Sequence, residues 1–346
     1  MRPLVRTLLK GSLKQIRHIA AVRQAEAHGL VAEVYAQARR EFGVVAPPLA
    51  LHSPAPEALA AAWLLLRETL LAEGRVSRAA KEAVATAVSR ANDCPYCVEV
   101  HEAKLATLPG AGGHAPLARW AYRSGGSPAA GGGPPPFDAA QAPEILGTAV
   151  TFHYLNRMVR LFLPDSPVPG AAPAAGRAPV MRMVARAMRP DPTATVAPGA
   201  SLGLLPAAPL PAGLGWAKDS PAVAGALARA VASVDAAAER WVPEAVRALL
   251  HAELAVREGT VPGPSRAWLD TATAPLAAGH LPAARLALLI ALNPSQITDA
   301  DIAAFRAPHP GDRELVELAS WAALTAAVRI GTRLDGPARP TTSAAR

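Results

Sequence analysis

Residues 75–108 constrain the chain more than any other stretch, because two helix patterns abut there with a single interruption, Asn92-Asp93-Cys94-Pro95. The segment Arg75 to Arg90 is rich in alanine, and Ser77 stands where a helix cap is wanted. Asn92-Asp93 is a second N-cap signal, and Pro95 suits the first turn of a following helix, which is expected from Cys94 to about Leu108. Two helices meeting at such a corner need further helices to bury their remaining faces. Cys94 and Cys97 are the chain's 2 cysteines. A helix opening at this point puts both sulfurs on the positive end of its dipole, where a thiolate is favoured. Cys97 and His101 are i, i+4 and so share one face. An imidazole beside a thiol is an arrangement that activates a sulfur nucleophile. Glu82, on the preceding helix, can face the same place.

The remainder of the chain supplies the scaffold. Alanine, leucine and arginine favour helix, and runs of β-branched residues are almost absent, so the expected class is all-α. Hydrophobic residues make up 51% but aromatics only 4%, which calls for close helix packing through small side chains. The 35 prolines and 26 glycines fall mostly between helical stretches and mark loops.

Five regions are expected. Residues 1–27 form a basic amphipathic helix, with Arg2, Arg6, Lys10 and Lys14 on one face. Residues 28–163 form a helical unit: a helix from Leu30 to Phe42 closed by Gly43, an apolar helix from Pro56 to Leu71, the two helices around the cysteines, and a long helix from Pro143 to Leu163. Between the last two lies a glycine- and proline-rich loop, Pro109 to Pro136, with a short helix near Leu117–Tyr122. Residues 164–214 read as a Pro/Ala/Gly-rich connector, in which Val180–Met188 can form a turn or two of helix whose methionines serve as lid or core contacts. Residues 215–334 look like a diverged repeat of the first unit without cysteines. The segment from Ser220 parallels that from Ser53, and the one from Arg313 parallels that from Pro143. Within it, Thr298-Asp299 marks a helix start. Residues 335–346 form a disordered tail.

The net charge of +8 comes from dispersed arginines that are not interleaved with aromatics, which argues against nucleic acid. Two cysteines in one motif exclude a disulfide framework and suit a reducing compartment. Charges interrupt the N-terminal apolar residues, unlike a secretory signal. The uncharged run Ala58–Leu66 is far short of the roughly 20 residues of a membrane span. The expectation is a cytoplasmic protein with no integral membrane segment.

The pattern Glu82-x11-Cys94-Pro95-Tyr96-Cys97-x3-His101 resembles the active-site signature of the alkylhydroperoxidase D-like, or carboxymuconolactone decarboxylase-like, superfamily. The Asn156-Arg157 pair matches one that the family carries on the helix closing its first unit. The resemblance implies an all-helical fold and a cysteine peroxidase that needs no flavin, haem or metal. It implies that Cys97 attacks the peroxide, Cys94 resolves the sulfenic acid as a disulfide, and Glu82 and His101 relay protons. It further implies an external dithiol donor, such as a lipoyl or thioredoxin-like protein, and a homo-oligomer. The best-known peroxidases of the group carry a second histidine just before the peroxidatic cysteine. This chain has Tyr96 there.

Other readings stay open at this point. The pair can serve a thiol–disulfide oxidoreductase or a non-catalytic redox sensor. A structural zinc site would need a fourth ligand, from His114 or His153, beside Cys94, Cys97 and His101. Haem attachment fails because no histidine directly follows Cys97. The glycines of the 109–136 loop follow no strand and carry no phosphate-loop lysine, which argues against nucleotide binding.

Overall fold

The segment Pro56–Leu66 has no polar face to offer water, and from Ala58 to Leu66 every side chain is buried. A helix apolar all round belongs in a core, and here it anchors the N-terminal half. The structure is a computed structural model that describes residues 13–126, 134–168, 180–183, 185–186, 195–257 and 259–334. Among these, every regular element is helical, as the composition implied. The Pro56–Leu66 helix runs on into a π-helical turn, Arg67–Leu71, where the guanidinium of Arg67 is buried between Glu41 at 2.6 Å and Glu68 at 2.5 Å. The helix Gly29–Glu41 packs alongside and ends at Gly43, whose φ of 88° is the left-handed closure glycine permits.

Two pairings join the halves. Pro221–Glu239 packs on Pro56–Leu66, and Asp312–Leu334 lies along Ala142–Phe162. These are the segments the sequence comparison set side by side, although the duplication itself rests on that comparison alone. Close approach is needed where the Ala142–Phe162 helix meets its neighbours from both halves. A Cβ on Gly331 would stand 2.7 Å from Val150 Cγ2, and one on Gly147 would meet both Thr69 and Val223 at 3.0 Å. One apolar cluster runs through both halves without interruption. By length and composition Pro221–Glu239 and Asp312–Leu334 are apolar enough to cross a membrane. Other helices of this fold already cover 50% and 78% of their apolar windows.

The N-terminal segment departs from expectation. Its first 12 residues lie outside the described ones, and only Leu13–Gln15 forms a 3-10 turn; from Ile16 to Ala27 the chain is not helical. The reason is visible in its contacts. Ile16, Ile19 and Val22 pack on the core from an irregular strap, and Arg17 donates to the Leu163 carbonyl at 2.6 Å. The short helix in the glycine-rich loop is Ala115–Arg123. The described part of the 180–188 segment is helical, and Met181 and Ala185 bury against Ala103; Met188 and the 335–346 tail lie outside the described residues. Thr298 opens its helix with a full capping box, in which the partner is Asp301.

Candidate active site

Ser77 accepts a hydrogen bond from the Ala80 amide and starts the helix Arg78–Ala91, which presents Glu82 inward. The next helix, Pro95–Leu105, begins with Pro95 in its first turn. The Asn92-Asp93 pair does not cap it. Asp93 turns the corner with a φ of 47°, Cys94 takes the N-cap position, and the Asn92 side chain is drawn inward to other partners. The corner sets Cys94 Sγ 2.7 Å from Cys97 Sγ, both as buried free thiols.

Glu82 is 1% exposed, and both its oxygens are used. Oε1 accepts from Arg78 Nε at 2.9 Å and Nη2 at 2.6 Å, and Oε2 lies 2.7 Å from His101 Nδ1. Burial, the largest influence on this carboxyl, opposes ionisation. Arg78 and His101 together outweigh it and hold the group at about 2. Phe152 packs edge-on against the His101 ring, with centroids 4.6 Å apart. The structure therefore unites Glu82 with His101 and Cys94 with Cys97. Among the described residues no hydrogen bond links His101 to Cys97.

Behind the sulfurs lies a polar layer in which sequence reasoning singled out Asn156 and His153 but not Asn92's or Ser124's part. Asn156, on the Ala142–Phe162 helix, stands beside Cys97, donates to Ser89 Oγ at 3.1 Å and accepts from Asn92 Nδ2 at 2.9 Å. His153, one helical turn before it, is fully buried. The Ser124 hydroxyl donates to the Ala121 carbonyl at 2.6 Å, so its oxygen accepts from His153 Nε2 at 2.9 Å. That leaves His153 Nδ1 to accept from Asn92 Nδ2 at 3.1 Å. Burial first, then Arg157 and Arg333, keeps this histidine well below its ordinary range, which agrees with a neutral ring. His153 thus buttresses Asn92 and lies away from the cavity described below. The i, i+3 spacing of His153 and Asn156 was the available signal in the sequence.

The helix dipole was expected to favour a thiolate. Burial acts the other way and, with the hydrogen bond and charge of Cys94, raises the Cys97 thiol well above its usual range; Asn156 and Arg160 offset only part of this. Burial also pushes the Tyr96 phenol far upward, reinforced by Cys97 and Cys94, so it keeps its proton.

The chain matches the model of the carboxymuconolactone decarboxylase family over residues 57–108. It is also 39% identical to a protein named alkyl hydroperoxide reductase from Mycobacterium tuberculosis, over 94% of this chain and 97% of the relative. The chain belongs to the carboxymuconolactone decarboxylase family. Within that family it is an alkylhydroperoxidase-like oxidoreductase. No solved structure matches the chain.

The segment matched to the family contains Glu82, Cys94, Cys97 and His101 and, from Glu57 onward, the apolar Pro56–Leu66 helix. On one side of the Glu82–His101 pair the family member opens a cavity of about 140 Å³, walled mainly by apolar side chains including Phe42, Leu66, Val100 and Met181. Glu82, His101, Lys104 and Tyr96 line its polar part. Cys94 and Cys97 lie behind these residues and not on the cavity wall. His114, one candidate for a fourth zinc ligand, instead lines a shallow groove near Arg90 and Glu102, and His153 is held by Asn92 and Ser124. Among the described residues no three His, Cys, Asp or Glu side chains converge as metal ligands.

Proposed function

We propose that this protein reduces organic hydroperoxides through its cysteine pair, with the apolar cavity receiving the organic group. The observation that carries the reading is the pair of free sulfurs 2.7 Å apart at the start of a helix whose next turn holds His101 against Glu82. Cys97 gives up its proton as it attacks the terminal peroxide oxygen, the O–O bond breaks, and the alkoxide leaves as an alcohol after taking a proton in its place. His101, oriented by the buried Glu82 carboxylate, is the group positioned at the cavity to hand over that proton. Cys97 is then a sulfenic acid. Cys94 attacks it, water leaves, and a Cys94–Cys97 disulfide remains. An external dithiol, on a lipoyl or thioredoxin-like protein, reduces the disulfide and is itself oxidised. Assembly into a homo-oligomer and a reducing, cytoplasmic setting belong to the same reading, and the cysteine usage, 2 in one motif and no disulfide framework, is what supports the latter.

The thiol–disulfide oxidoreductase reading draws on different observations. Tyr96 occupies the position before Cys97, and its phenol keeps its proton, so it cannot take up a proton there as a histidine would. A single experiment separates the two. Cys94→Ser protein, which cannot form the disulfide, is treated with one equivalent of cumene hydroperoxide and then with dimedone. A dimedone adduct on Cys97 supports the peroxidase. An unmodified Cys97 in the mutant, with disulfide exchange intact in wild type, favours the oxidoreductase.

A further inference from the structure

A second cavity, about 310 Å³, opens where helices of both halves end, on the far side of Asn92 from the thiols. That volume falls at the lower end of the roughly 300–1,000 Å³ typical of small-molecule sites. Five of its wall residues are arginines, namely Arg123, Arg157, Arg257, Arg329 and Arg333, and among the described residues no carboxylate lines it. Cations near helix C-termini are ordinary, since they answer the negative end of the dipole. That accounts for Arg123 and Arg257, which close their helices, and Arg257 is also paired with Glu253 at 2.9 Å and covered by Trp268.

Dipole compensation does not account for Arg157 or Arg329, which lie more than a turn inside their helices. Arg157 donates to backbone carbonyls, His153 O at 2.6 Å and Ala291 O at 2.9 Å, and among the described residues its charge has no carboxylate. Burial, and then the charge of Arg333, lowers this guanidinium to about 10, a cost a bound anion would relieve. Arg329 Nε is buried with no hydrogen-bond partner among the described residues. An unmade guanidinium donor is costly, and Arg329 lines the cavity wall with no carboxylate beside it among the described residues. At the rim Tyr122 and Val261 are exposed at 55% and 65%, apolar surface beside a cationic floor.

From these observations we infer that the Arg123–Arg157–Arg329 cavity is a binding site for a small organic anion, with a phosphate or carboxylate head on the guanidiniums and an apolar portion against Tyr122 and Val261. The planar guanidinium fork suits such oxyanions. The site needs helices from both halves, which gives the cysteine-free half a binding role of its own. Its occupancy is independent of the peroxidase reading.

The test is isothermal titration of phenyl phosphate into the full chain at low ionic strength. The comparison is wild type, Arg123→Gln, the double variant Arg123→Gln/Arg329→Gln, and a control, Arg39→Gln/Arg75→Gln, which removes the same charge from exposed positions elsewhere. One site per chain is expected. The double variant should bind at least about tenfold more weakly, given the strength of charge-assisted hydrogen bonds, and the control should stay within about twofold. Arg123 is exposed, so the single variant reports even if the double variant folds poorly, and it too should lose affinity. Absence of saturable binding, or equal weakening in the control, would overturn the assignment.

Discussion

Replacing Glu82 with glutamine keeps the side chain's shape and removes the charge that Arg78 and His101 share. The carboxyl is held at about 2 against an ordinary 4.5, and it is 1% exposed, so solvent screening is slight. At about 1.4 kcal/mol per pH unit, that difference is worth about 3 kcal/mol of folding stability. Because the folded-state value is the depressed one, the contribution is complete above pH about 4.5 and drains away as pH falls towards 2. The other carboxylates are common to both proteins and cancel in the difference. The assay is urea unfolding of wild type and Glu82→Gln at several pH values from 7 to 3. Wild type should exceed the variant at pH 5. That margin should then shrink by about 2 kcal/mol between pH 4.5 and 3. A margin that stays flat down to pH 3 would refute the reasoning, since it would mean Glu82 is not ionised between Arg78 and His101.

Further outcomes follow from the same geometry. Alkylation of Cys97 in Cys94→Ser protein should become steadily faster as pH rises past 9, and Asn156→Ala, which removes a thiolate-stabilising amide, should move the midpoint higher still. Mass spectrometry reads both, and a rate that levels off below pH 8 would contradict the burial argument. Gly125→Ala places a Cβ 2.7 Å from His153 Cε1, so it should destabilise the protein by about 1–3 kcal/mol in urea unfolding. Met181→Ser makes the cavity wall polar and should raise KM for cumene hydroperoxide with little change for hydrogen peroxide in steady-state assays.

The sequence made the site's first layer legible because two constraints coincide there. Pro95 fixes a helix start, and the i, i+4 relation of Cys97 and His101 then follows from helix geometry. The second layer was harder to read, since Asn92, Ser124 and His153 come from three separate segments and meet only when the long Ala142–Phe162 helix crosses the corner. Asn92 misled for a related reason: its side chain suits a cap, but a deeper hydrogen-bond network claims it. The rise in the Cys97 thiol was equally hidden, because dipole orientation can be inferred from spacing and burial cannot. The N-terminal strap shows periodicity overridden by tertiary packing: Ile16, Ile19 and Val22 reach the core from irregular backbone. The helix Leu281–Leu292, buried on nearly every side, has no polar face and so gave no amphipathic signal.

The measurement that bears most directly on the account is dithiol-dependent consumption of cumene hydroperoxide by wild type, Cys97→Ser and Cys94→Ser. Wild type should turn over. Cys97→Ser should be inactive, and Cys94→Ser should stop after a single turnover with Cys97 oxidised. Turnover that survives Cys97→Ser, or a wild type that forms the Cys94–Cys97 disulfide yet leaves the peroxide untouched, would contradict it.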